Sequence, residues 1–255
     1  MTKVHRILIP TDSDDPQSWQ DALGAALAVN QACSPPIKDV VLFLPVKQNL
    51  KSTGLEGFLG KQHSKMLRDG KTLQLPDDAN LRLETKQTSS YGFPRKTTII
   101  AFYTDDHILE MIDGLQNVAG VVAVPDYTGR ANEWKARWAP LVPGEEQAEL
   151  EPLIDDPIII AALKSISPLM NKSKGVLTAP YADWANDVLR ILRAKGHSAE
   201  PKDVKSWAIR DGWTPGAANE LAKLAGKIFK LKAKPSLRQI ANAEERYERW
   251  KNGET

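Results

Sequence analysis

Val118 to Val124 (VAGVVAV) is the stretch that most restricts what this chain can become. A run without one polar side chain cannot line a sheet that has a wet face, so it fits a parallel strand covered on both sides. Thr97 to Tyr103 (TTIIAFY) is a second apolar, β-branched run. Between the two, Asp105 and Asp106 open a segment whose Ile108, Ile112 and Leu115 recur at helical spacing. Residues 97–138 therefore read as a strand–helix–strand unit. Thr104, Asp105 and Asp106 follow its first strand, and Asp126 and Tyr127 follow its second. Open α/β sheets bind ligands outside the carboxyl ends of their strands, so these residues mark the expected functional edge.

The preceding residues extend the same pattern. Val4 to Pro10 reads as a first strand, and Thr11 to Pro16 as a polar loop with helix-capping residues and a proline at the first helical position. The helix then runs to about Ala32. Trp19, Leu23, Ala26, Leu27 and Asn30 share one face, which makes Trp19 a core anchor. Val40 to Pro45 is a second apolar strand. Gly54, Gly57 and Gly60, with Lys61 after them, match neither common phosphate-loop spacing, so they read as a loop entering a helix. Leu81 to Thr85 alternates like an edge strand, and Thr88 to Lys96 is a loop. Strands near 4–10, 40–45, 80–86, 97–103 and 118–125, alternating with helices, predict a Rossmann-like or flavodoxin-like parallel sheet over residues 1–145. The order of the strands is not readable.

The pattern changes after Trp138. Pro140, Pro143, Gly144 and the acidic run Glu145 to Asp156 read as a linker, about 140–156. Residues 155–255 show no strand-like alternation and read as a small all-α helical domain. Pro180 to Lys195 carries Tyr181, Trp184, Val188 and Ile191 on one face and stops at Gly196. Glu200 to Asp211 forms a helix ended by Gly212. Thr214-Pro215 caps and opens another through Lys230, and Ser236 to Gln239 has the capping-box pattern of a last helix. Trp207 and Trp213 read as core.

Composition removes some function classes. The lone cysteine, Cys33, cannot form an internal disulfide, which favours a reducing compartment. No segment reaches the roughly 18 apolar residues of a membrane span, and no signal-like apolar stretch follows Met1. A cytoplasmic protein with no membrane partner is expected. The net charge of +2 divides unevenly, with 16 basic against 20 acidic residues in 1–154 and 18 against 12 in 155–255. A basic helical half fits either a solvated surface or a polyanion partner.

The acids Asp12, Asp14, Asp15, Asp105, Asp106 and Asp126 at strand exits have two accounts: a Mg²⁺ site, or helix caps that complement the dipole. The caps are favoured, because nothing in the spacing fixes a ligand set. His5, His63, His107 and His197 are isolated, which predicts no zinc site. Trp134 and Trp138 pack a short helix. Arg130, just past a strand exit, is suited to a bidentate contact with phosphate or carboxylate.

Arg6 to Val29 (RILIPTDSDDPQSWQDALGAALAV) resembles the first strand, loop and helix of the universal stress protein family. The resemblance implies an adenine-facing role for Asp12 and Ser13. The family's glycine-rich element after the fourth strand has no counterpart, because the strand at 118–125 ends in Pro125-Asp126-Tyr127-Thr128-Gly129-Arg130.

These readings predict a ligand-binding and interaction protein. The α/β edge takes a small phosphorylated or nucleotide ligand through Asp12, Ser13, Thr104, Asp105, Asp126, Tyr127 and Arg130, while the helical domain meets a protein partner. No catalytic or cofactor motif is present, so reaction and cofactor stay unassigned. One alternative is a metal-dependent enzyme acting on nucleotides or nucleic acid, with Asp12, Asp105 and Asp126 as ligands and Arg130 on phosphate. Another is DNA binding through a helix-turn-helix-like 200–230, with Lys223, Lys227 and Lys230 on phosphates.

Overall fold

The computed structural model describes residues 4–89, 92–167 and 177–255. The chain divides into two compact units, Met1–Leu150 and Glu151–Thr255.

The first unit is an α/β sandwich around one sheet in the order β1-β6-β5-β2-β4-β3. Its strands are β1 (His5–Leu8), β2 (Asp39–Leu44), β3 (Leu73–Gln74), β4 (Asn80–Thr85), β5 (Gly92–Thr104) and β6 (Gln116–Pro125). All neighbours run parallel except β3, a two-residue strand antiparallel to β4 that the sequence reading missed. Helices α1 (Pro16–Ala32), α2 (Asn49–Ser52), α3 (Leu55–Leu59) and α4 (Lys61–Arg68) cover one face. There Trp19, Ala22, Leu50, Leu55 and Leu67 pack on Val40, Leu42, Ile100 and Val122. Helices α5 (Asp106–Asp113) and α6 (Asn132–Trp138) cover the other, where Leu109, Ile112 and Trp134 meet Val41, Phe43, Ile99 and Val121. Both faces are dry, which explains the uninterrupted apolar runs.

Two connections differ from the simple alternation. Among the described residues the return from β4 to β5 has no helix, and Phe93 joins the core on the α5 side with the Arg82 guanidinium 5.2 Å over its ring. β5 also begins at Gly92, five residues before the apolar run. Gly92 has φ +123° and approaches β6 so closely that a Cβ there would lie 2.4 Å from the Gln116 amide nitrogen. After α6 the chain returns to the open side of β1, where Leu141 pairs with Ile7.

The strand order fixes a crevice. The exit of β2 leads toward β4, and the exit of its neighbour β5 leads the other way, to β6. Such a divergence between adjacent parallel strands is where open sheets bind ligands.

The second unit contains α7 (Pro157–Ile166), α8 (Tyr181–Lys195), α9 (Pro201–Arg210), α10 (Pro215–Phe229) and α11 (Ala243–Lys251). Asp156 caps α7 and Thr214 caps α10, each with proline at the first turn, and Gly196 ends α8 in the left-handed region. Helix α10 packs on α8 and α9, and α7 packs on α8 and α11. Trp207 and Trp213 are buried, as the sequence predicts. The indole of Trp213 donates to Ser167 Oγ at 3.0 Å, and Ser167 in turn donates to Asp211. The expected start of the last helix at Ser236 is not found. Residues 231–242 are irregular and α11 begins at Ala243, after Asn242 takes φ +52°. Among the described residues no helix is long and apolar enough to cross a membrane.

Candidate functional site

The carboxyl edge of the sheet gathers the loops after β1, β2, β5 and β6. Ser13 Oγ donates to the Asp126 carbonyl at 3.0 Å, and the Asp126 amide donates to the Thr104 carbonyl at 3.2 Å. Three of the expected residues thus form one hydrogen-bonded floor, in which Ser13 and Thr104 are buried. The hydroxyl of Ser13 is engaged within the protein rather than held open. Asp12 and Asp126 direct exposed side chains from this floor.

The acids of the β5 exit act as caps. Asp105 Oδ1 accepts from the Ile108 amide at 2.9 Å and closes the first turn of α5. Asp106 reaches across to α6, accepting from the Trp134 amide at 2.7 Å and the Glu133 amide at 3.1 Å, and its own amide donates to the Arg130 carbonyl at 2.8 Å. These bonds satisfy amides that a helix start would otherwise leave open. Among the described residues no group of three or more His, Cys, Asp or Glu is arranged to hold a metal ion. The convergence that a metal-dependent enzyme needed of Asp12, Asp105 and Asp126 is therefore not present. Arg130 and Tyr127 are exposed, with the guanidinium 4.9 Å over the phenol ring and no ion-pair partner among the described residues. His107 is exposed beside Lys86.

The central residue of the edge is one that sequence reasoning did not single out. Tyr103 closes β5 with φ +55°, at a register shift between Phe102 and Thr104, and only 8% of it is exposed. A left-handed aromatic residue is costly, on the order of 1–3 kcal/mol, and persists where packing holds it. Its hydroxyl is buried without a hydrogen-bond partner. Thr53 and Leu55 act on it as weak hydrogen-bonding neighbours, while the closer bonds of Thr53 Oγ1 are made within the loop, to the Asn49 carbonyl at 2.6 Å and from the Leu55 amide at 3.4 Å. Burial pushes the phenol above its ordinary range. Thr53 and Leu55 pull it back, and the charges of Asp14 and Asp126 push it up again. Tyr103 therefore keeps its proton as a hydrogen-bond donor. Periodicity cannot reveal it, since the bulge that turns its ring arises from pairing with β6. The only hint was an amphipathic aromatic residue ending an apolar strand.

In the helical unit, Lys223, Lys227 and Lys230 are exposed on or beside α10 and have no ion-pair partner among the described residues. A side-chain chain links three elements: Asp156 Oδ2 lies 2.6 Å from His197 Nδ1, and His197 Nε2 lies 3.1 Å from the Tyr247 hydroxyl. Lys195 flanks it, 4.9 Å over the Tyr247 ring and bonded to Glu244.

These five helices coincide with the one similarity found to known proteins. A family model described as a domain of unknown function (DUF1889) matches residues 155–251, which is short of half the chain. No family match spans the whole chain. No curated protein and no solved structure matches it.

Proposed function

We propose that the α/β unit binds a small phosphorylated ligand, a nucleotide or sugar phosphate, at the carboxyl edge where β2 and β5 diverge, and that the helical unit is an interaction module. The observation that carries this reading is the buried, unpartnered hydroxyl of Tyr103. A buried polar group without a partner costs about 1–3 kcal/mol, and a ligand oxygen that accepts its proton would recover that. The surrounding charges fit the two ends of such a ligand. Exposed carboxylates of Asp12, Asp14 and Asp126 accept from hydroxyls, and Arg130 suits a phosphate.

A thermal-shift panel of nucleotides and sugar phosphates tests the proposal. A true ligand at a hundred times its dissociation constant adds about 2.7 kcal/mol of apparent stability. Tyr103→Phe keeps the ring and should weaken that ligand by about tenfold or more. No shift from any member of the panel overturns the ligand-binding reading.

A further inference from the structure

The helical unit contains a hollow of about 370 Å³ between the end of α7, the first turns of α8 and helix α11. Its walls include Ser165, Trp184, Arg246, Arg249 and Trp250. Trp184 is 39% exposed, an unusual state for the largest apolar side chain, while Trp250 is buried beneath. Arg246 is 5.6 Å over the Trp250 ring and at the limit of ion pairing, 4.0 Å, with Asp187. Arg249 is exposed and has no carboxylate partner among the described residues.

The two arginines are three apart on α11, so they are neighbours on one helix face and repel one another. Burial lowers the Arg246 pKa, Asp187 opposes this, and the charge of Arg249 lowers it further. Dipole complementation in the last turn explains an arginine at position 249. It does not explain why both guanidiniums line the same hollow as a part-exposed indole, whose other contact is the T-shaped one with Tyr181 at 5.7 Å between ring centroids. Glu254 and Thr255 also line the hollow, and Asp187 offsets Arg246, so Arg249 is the guanidinium left for a ligand. Ser165 Oγ donates to the Ala162 carbonyl at 2.6 Å, which leaves its lone pairs free to accept.

We infer that this hollow binds a planar aromatic anion of mononucleotide size, its ring against Trp184 and its phosphate between Arg246 and Arg249. The volume is within the range of small-molecule sites, roughly 300–1,000 Å³. A phosphate bridging the pair removes their mutual repulsion and adds charge-assisted hydrogen bonds. Aromatic rings stack on an exposed indole with little regard to base identity, so the site discriminates by charge more than by base.

Titrating the full-length protein with AMP, followed by tryptophan fluorescence and calorimetry, tests this site separately from the α/β edge. AMP should quench emission saturably, and Trp184→Phe should abolish the quench. Arg249→Ala should weaken AMP by about tenfold, and Arg249→Lys by less. Adenosine should bind more weakly than AMP, and inorganic phosphate should compete. Tyr103→Phe should leave the quench unchanged, because it reports only on the α/β edge. A quench that survives Trp184→Phe, an Arg249→Ala affinity equal to the parent's with folding intact by circular dichroism, or no saturable quench up to about 5 mM AMP overturns the inference.

Discussion

At the scale of single residues, the strongest commitments are buried charges. Asp113 is buried and accepts from Trp138 Nε1 at 2.8 Å and Arg137 Nη1 at 3.2 Å, with Arg6 Nη2 at 3.5 Å. The Arg6 guanidinium stacks 3.4 Å from the Trp138 ring centroid, so one carboxylate ties β1, α5 and α6 together. Burial pushes the Asp113 carboxyl up, and Arg6, Trp138 and Arg137 hold it down. Replacing Asp113 with Ala takes the carboxylate from Arg6 and one of two from the buried Arg137, which keeps Glu110 at 3.7 Å, and should cost about 3–5 kcal/mol in a urea melt. Breaking the exposed Lys38–Asp78 pair should cost at most about 1 kcal/mol. Equal effects at the two places would show that the buried cluster is not structural. The sequence held no sign of this cluster, because its members come from three elements and share no spacing.

Asp156 carries a pH dependence of definite sign. Burial raises its pKa, but the His197 ring and the Ile158 and Ile159 amides outweigh that and hold it below the usual carboxylate range. A depressed folded value means stability that is complete above the unfolded pKa of about 3.9 and is lost as pH falls through the folded value. Asp156→Ala should remove both this acid dependence and the α7 cap, about 0.5–2 kcal/mol at neutral pH. Melts of parent and variant at pH 7 and in acid check it; curves that stay parallel would contradict the assignment.

Elements were legible where local chemistry decides them and obscure where pairing does. The caps at Asp15, Asp105 and Thr214 and the stop at Gly196 were readable because each satisfies its own helix end. The start of β5 was not, since Pro94, Arg95 and Lys96 look like a loop and fall in the register shift between the paired Gly92–Gln116 and Thr97–Val118. At Ser236 the capping-box letters are present and Ile240 is buried, yet the chain makes only a turn there before α11, and propensity alone does not form a helix. The same limit governs α10. Its lysines are exposed as a phosphate-binding helix requires, but exposed lysines at this spacing also simply keep a helix solvated. If Lys223, Lys227 and Lys230 contact DNA, affinity for random duplex must fall with salt at a slope near −0.9 per neutralised phosphate. We expect only weak binding at physiological ionic strength, little changed by replacing all three. A submicromolar dissociation constant lost in the triple variant would reverse this.

For the whole molecule, the layers were legible and the strand order was not. Apolar runs report that a strand is buried on both faces, but which strand lies beside which is decided by packing among distant residues, such as the buried 2.7 Å bond from Thr98 to Asn30 of α1. That order puts Tyr103 at the divergence of β2 and β5, so the candidate site was visible as an edge and invisible as a residue. The expected division into two domains has its own measurement. Residues 143–152 are exposed and outside helix and strand, whereas Val142 is buried and Leu141 is paired to β1. Proteases need several residues of extended, accessible chain, so limited digestion should cut first within 143–152 and spare the flanking cores. The fragments near 1–143 and 152–255 should each retain cooperative unfolding, since each carries its own buried apolar cluster. First cleavage within 97–125, or a C-terminal fragment without a cooperative melt, would mean that the two units fold as one.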